Sequence, residues 1–180
     1  MIYVFLADGF EEVEALTAVD LLRRCELDVK TVGIGREAIR GSHGILVQSD
    51  LSDKDCVLDE NVEMVVLPGG MPGTLNLEHS AAVQNAIDFC MNNGKYVASI
   101  CAAPSILGHK GILDGKRTCC YTGYDTQLGD AIYDADAKVC VDGNFITARG
   151  AGVALEFGLA LVEKLISKER CEILKASLLC

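Results

Sequence analysis

Three segments set the terms for any fold this chain can adopt. Met1–Ala7, Val62–Leu67 (apart from Glu63) and Tyr96–Ile100 are near-continuous apolar runs of strand length. A strand that is apolar on both sides must be covered on both sides, as in a parallel sheet between two helical layers. The intervening segments have helical character. Glu11–Arg24 carries acid at its start and Arg23–Arg24 at its end, matching the helix dipole. Leu77–Asn92 reads as one helix, with Gly94 as its C-cap. Ala102–Leu107 suits a first helical turn with its proline, Val153–Ser167 is amphipathic, and Lys168–Leu179 is a last short helix. Further strands are expected at Leu27–Val32, near Ile45–Gln48 and at Arg117–Tyr121. Lys138–Asp142 and Asn144–Ala148 flank the hairpin signal Asp142–Gly143–Asn144. Asp50–Asp59 is polar and partly helical, while Asp125–Ala131 fits no single element. The 180 residues read as one domain spanning 1–180.

Half the residues are hydrophobic and only three are proline, which argues against disorder. The net charge of −10 with no basic run gives no nucleic-acid signal. The first residues, MIYVFLADGFEE, lack a basic start and read as a strand rather than a signal peptide. No apolar run reaches the roughly 20 residues of a membrane span. The nine cysteines are odd in number and form no CxxC pair, so neither a disulfide framework nor a zinc site is indicated. They read as reduced, which places the chain in the cytoplasm.

Parallel sheets of this kind put their sites outside the carboxyl ends of the strands. The loops Ala7–Glu12, Leu67–Gly73 and Ile100–Pro104 should therefore converge. Cys101 sits where the strand Tyr96–Ile100 becomes a helix. Free backbone N–H groups and a helix dipole at such an elbow favour the thiolate, the reactive form. The alternative is a small buried residue that merely ends a strand. Glu14 shares a helix face with Ala18, Leu21 and Leu22, where a carboxyl must be paired or protonated. Burial would raise its pKa and suit it to proton transfer. Glu11 and Glu12 instead read as first-turn carboxylates with their heads in water. Gly69 and Gly70 either allow backbone N–H groups to face a ligand or make a plain turn. His109 is about 12 Å along a helix axis from Cys101, too far to act as its base. His43 and His79 read as solvent-facing. Cys119 and Cys120 are packing residues or, for one of them, a resolving thiol for Cys101. Tyr121 and Arg149 are further polar candidates near strand ends.

Four segments, ADGFEEVEALTAVDLLRR, VVLPGGMPG, SICAAPSIL and ITARGAGVALEFGLALVE, together resemble the Parkinson disease protein 7/ThiJ/PfpI family, nearest its bacterial ThiJ-like branch. The resemblance implies a flavodoxin-like α/β three-layer sandwich with a mostly parallel central sheet, assembled as a homodimer. It implies that Cys101 is the nucleophile at the elbow, that Glu14 contacts its sulfur, and that Gly69–Gly70 and the Ala102 N–H supply oxyanion donors. It also implies activity without metal or other cofactor. Family members are credited with glyoxalase activity, with deglycation of methylglyoxal- or glyoxal-modified amino acids and proteins, and with peroxide-sensing and chaperone roles. Ala102 stands where the protease-like branch has histidine, which argues against a peptidase. Tyr121 stands where animal members have a histidine near the cysteine, and His43 where many have arginine.

Three functions are therefore in play. The first is a glyoxalase or deglycase acting on small reactive aldehydes or glycated amino acids and proteins, with Cys101 as nucleophile and Glu14 as proton carrier. The second is a redox sensor or chaperone using an oxidisable Cys101. The third is an amidotransferase-like hydrolase, disfavoured by the missing histidine.

Overall fold

The computed structural model describes all 180 residues. In chain order it runs β1 (Ile2–Leu6), α1 (Glu12–Arg24), β2 (Val29–Gly33), β3 (Ala38–Arg40), β4 (Leu46–Gln48), β5 (Leu51–Ser52), β6 (Met64–Leu67) and α2 (Gly73–Glu78). There follow α3 (Ala81–Asn92), β7 (Tyr96–Ile100), α4 (Pro104–His109), β8 (Arg117–Thr118), β9 (Ile132–Tyr133), β10 (Val139–Asp142), β11 (Phe145–Ala148), α5 (Ala154–Leu165) and α6 (Lys168–Leu178).

The main sheet has the order β10-β11-β7-β6-β1-β2-β5. All neighbours pair in parallel except the β10–β11 hairpin at one edge. Its five central parallel strands follow the doubly wound order of the flavodoxin-like fold. Alternation along β1 explains the two cores. Ile2, Val4 and Leu6 join residues of α1, α5 and α6 on one face. Tyr3, Phe5 and Ala7 join residues of α2, α3 and α4 on the other. The apolar runs are thus strands buried on both sides. On the first face α1 packs on α5, and Gly158 makes the approach possible: a Cβ there would lie 2.6 Å from Leu21 Cδ1.

Tyr96–Ile100 is a strand with the expected bounds. Leu77–Asn92 is not one helix. It divides at His79–Ser80, where the Ser80 hydroxyl accepts from the Val83 N–H and starts α3 afresh. The expected strand Arg117–Tyr121 shortens to two residues, because the Cys119 N–H leaves the ladder for the Thr147 hydroxyl at 3.1 Å. β8 pairs with β9 in a small sheet of its own. No helix is long and apolar enough to cross a membrane, and all nine cysteines are free.

Candidate active site

The three expected loops do converge. The Glu11 N–H donates to the Gly69 carbonyl at 2.9 Å, tying the loop after β1 to the loop after β6. A Cβ on Gly69 would lie 2.6 Å from Cys101 Cβ and 2.8 Å from Glu14 Oε2. Only glycine permits three segments to approach this closely. Gly70 has a φ of 89°, and its Cα packs against the backbone of Gly9, Phe10 and Glu11.

Cys101 has a φ of 64°. A non-glycine residue in this region costs about 1–2 kcal/mol, so the surroundings must hold it there. They do so from two sides: its N–H donates to Ala148 O at 2.9 Å, and its carbonyl accepts from the Tyr121 N–H at 2.8 Å. The strained elbow turns the side chain away from the strand direction and towards Glu14.

Glu14 is 1% exposed. Its Oε2 accepts from the Gly69 N–H at 2.8 Å, while Oε1 is buried with no hydrogen-bond partner. Burial raises the carboxyl to about 7, against the opposing pull of the Gly69 N–H and the Cys101 thiol. The Cys101 thiol is itself pushed up to about 12, first by burial, then by the Glu14 charge beside it. The Ala102 and Gly70 N–H groups act in the opposite direction. The expected bias of the elbow toward thiolate is thus outweighed. Helix α4 has six residues and starts only at Pro104, too short and too far along to offset the desolvation. Opposite an ionised Glu14, the cysteine is a thiol.

The expected donors also divide. The Gly69 N–H is committed to Glu14, which leaves Gly70 and Ala102 facing the sulfur. Tyr121 and Arg149 line a cavity of about 430 Å³ together with Thr122, Lys138 and the turn Gly150–Val153. Gly150 joins this cavity to the cysteine. A Cβ there would lie 4.0 Å from Cys101 Sγ and 3.3 Å from the Tyr121 ring. Neither Gly150 nor Lys138 was singled out by the sequence reading. The only signal was a glycine following a strand, and nothing in the sequence places Lys138 opposite Arg149 across a hairpin.

No histidine acts on Cys101. His109 pairs with Glu78 at 2.6 Å. His43 is largely exposed, but its Nδ1 lies 3.0 Å from Glu12 Oε2. Glu12 departs from the reading of a head in water: it is 4% exposed and held by the segment around His43. Neither Cys119 nor Cys120 hydrogen-bonds to Cys101. Cys119 Sγ meets Thr147 O at 3.3 Å, and Cys120 Sγ meets Tyr121 O at 3.4 Å.

The sequence matches the DJ-1/PfpI family over residues 1–164. It is 37% identical over 171 residues to protein dj-1beta of Drosophila melanogaster, covering 94% of this chain and 91% of that one. It is 30% identical over 160 residues to the glutathione-independent glyoxalase DJR-1.2 of Caenorhabditis elegans, covering 89% and 85%. The fold superposes on Toxoplasma gondii DJ-1 in its oxidized form with a TM-score of 0.93, 32% identity and coverage of 99% of this chain and 97% of that one. With its doubly wound sheet, its cysteine elbow and a family match over nearly the whole chain, the protein belongs to the DJ-1/PfpI family.

Proposed function

We propose that the protein is a cofactor-free glyoxalase or deglycase acting on methylglyoxal, glyoxal and their early adducts. The observation that carries this reading is the Glu14 carboxyl, buried against the Cys101 thiol and titrating near neutrality. A base that titrates near the working pH can both take and return a proton. Cys101 Sγ attacks the aldehyde carbon as its proton passes to Glu14, giving a hemithioacetal. Coupling deprotonation to attack removes the need for a resting thiolate. Glu14 then moves the proton from the former aldehyde carbon to the adjacent carbonyl carbon through an enediol. Water hydrolyses the resulting thioester and releases the hydroxyacid. The Gly70 and Ala102 N–H groups that face the sulfur are placed to steady charge on the neighbouring oxygen. Tyr121 and Arg149 form the outer wall for the rest of the substrate. The C. elegans relative named as a glyoxalase supports this reading. The test is lactate formation from methylglyoxal by metal-free protein. If Cys101→Ser and Glu14→Gln leave the rate intact, the mechanism is wrong.

A second reading rests on Glu14 Oε1, a buried oxygen without a partner beside an oxidisable sulfur. Protonated there, the carboxyl would donate to a sulfinate on Cys101, as a peroxide sensor requires. The solved Toxoplasma relative described as oxidized is consistent with this. Mass measurement after mild peroxide separates the two readings. Addition of two oxygens at Cys101 with negligible aldehyde turnover favours the sensor. The homodimer implied by the resemblance belongs to the proposal as well. Val13 on α1 and Ile45 and Leu46 at the β3–β4 hairpin are exposed apolar residues available for it, and sedimentation of the purified chain tests it.

A further inference from the structure

Away from Cys101 the molecule holds a second pair of thiols that the chemistry above does not use. The segment around β8 lies across one face of the β10–β11 hairpin. There the Arg117 N–H donates to the Asp142 carboxylate at 2.9 Å, and the Cys119 N–H donates to Thr147 Oγ1 at 3.1 Å. Thr147 is the cross-strand partner of Cys140. Side chains of such a pair stand on one face, about 5 Å apart at Cβ. Alternation fixes which face. Val139 packs toward the core of α5, and Val141 is exposed beside Ala160 of α5. Cys140 therefore points the other way, toward β8. Cys119 Sγ lies 3.3 Å from the Thr147 carbonyl and 3.7 Å from the Lys138 carbonyl, on the backbone that flanks Cys140. Each of the two cysteines is 1% exposed. Burial pushes both thiols up, and each sulfur is near enough to influence the ionisation of the other. At Cys140 the Arg117 guanidinium acts against that rise, while Asp134 and Asp142 add to it.

We propose that Cys119 and Cys140 are a dithiol that closes to a reversible disulfide under hydroperoxide, separately from Cys101. The sulfur of Cys140 attacks the peroxide: an S–O bond forms, the O–O bond breaks, and alcohol or water leaves with the thiol proton. The sulfur of Cys119 then attacks the sulfenic sulfur: the S–S bond forms, the S–O bond breaks, and water leaves. Two thiols lose two electrons and one hydroperoxide gains them. Closure needs only local opening, because β10 is the edge strand of the sheet. The crosslink would pin the β8 segment to the hairpin whose two ends carry Lys138 and Arg149, the cationic wall of the Cys101 cavity. The adjacent Cys120 takes no part, since its sulfur turns to the Tyr121 carbonyl at 3.4 Å and packs among residues of α3 and α4.

The test is a peptide map of the full chain after hydrogen peroxide and alkylation, in the wild type and in Cys101→Ser. In both, a Cys119–Cys140 linked peptide lacking two hydrogens is expected, and a thiol reductant abolishes it. Loss of that peptide in Cys140→Ser, or in Cys119→Ala if the first variant misfolds, supports the assignment. It is overturned if both residues remain alkylatable after denaturation at a dose that has consumed the exposed Cys180. It is equally overturned if the link found joins Cys120 or Cys101.

Discussion

Glu12 and Glu14 lie two residues apart on the same helix and are 4% and 1% exposed, yet their pKa values are shifted in opposite directions. Burial pushes both carboxyls up. At Glu12 that push is outweighed by its own backbone N–H, by the His43 ring, and by the N–H groups of His43 and Ile45, so its pKa is lowered. At Glu14 a single N–H from Gly69 meets one oxygen, the other has no partner, and the pKa stays near 7. Low solvent exposure therefore does not by itself decide the charge. Depth within the core, greater at Glu14, and the count of donors that the fold delivers to each carboxyl decide it together. Glu12 is a cross-link between α1 and the β3–β4 hairpin, and Glu14 is left short of partners beside the one strained cysteine.

The sharpest break of this comparison is Glu14→Gln. Its amide still accepts from Gly69, so the fold is retained, but the proton carrier is gone. Aldehyde turnover should fall about 10²–10⁴-fold, read as lactate production. Glu12→Gln should leave turnover close to wild type in the same assay.

A pH series on stability comes next. The folded pKa of Glu14 is raised above the unfolded value of 4.5 to about 7. Its contribution is fully present below 4.5 and is lost as pH rises to about 7, a fall of about 3 kcal/mol in chemical denaturation. Glu14→Gln should flatten that slope. Glu12, with a lowered folded pKa, works the opposite way: its contribution is present above 4.5 and is lost as pH falls through the folded value. Glu12→Ala leaves the His43 and Ile45 N–H groups without their acceptor. It should cost about 1–3 kcal/mol at neutral pH, with the deficit shrinking in acid. Equal deficits at pH 7 and pH 3 would refute the assignment.

The smallest effect concerns the cavity rim. Arg149 has no hydrogen-bonded side-chain partner, and the cavity it lines contains no carboxylate. Arg149→Gln should raise KM for an aldehyde bearing a carboxylate by about fivefold at most and leave a neutral one unchanged, since exposed charge pairs contribute little.

Much of this was legible in the chain itself. Apolar runs without alternation demanded a two-sided sheet, and Met1–Ala7 and Tyr96–Ile100 became its strands. Small residues and a proline after Ile100 marked the elbow, and Glu14 on an apolar face marked a carboxyl in trouble. The reading of Glu12 failed because its donors come from His43 and Ile45, about thirty residues downstream. Cys119 is a buried packing residue, as read, but what it packs against was not legible for a similar reason. The residue that faces it is not its neighbour Cys120 but Cys140, brought there by the hairpin.

Periodicity and composition by themselves determined which apolar runs are buried and where the main strands lie, because those follow from local geometry and the apolar surface to be covered. The tertiary structure alone decided which buried groups meet. It gave Glu12 a full set of donors and Glu14 one, committed the Gly69 N–H to that carboxyl, and kept Cys101 a thiol. Ionisation and hydrogen bonding depend on contacts within a few ångströms, and only closure of the chain brings those groups into contact.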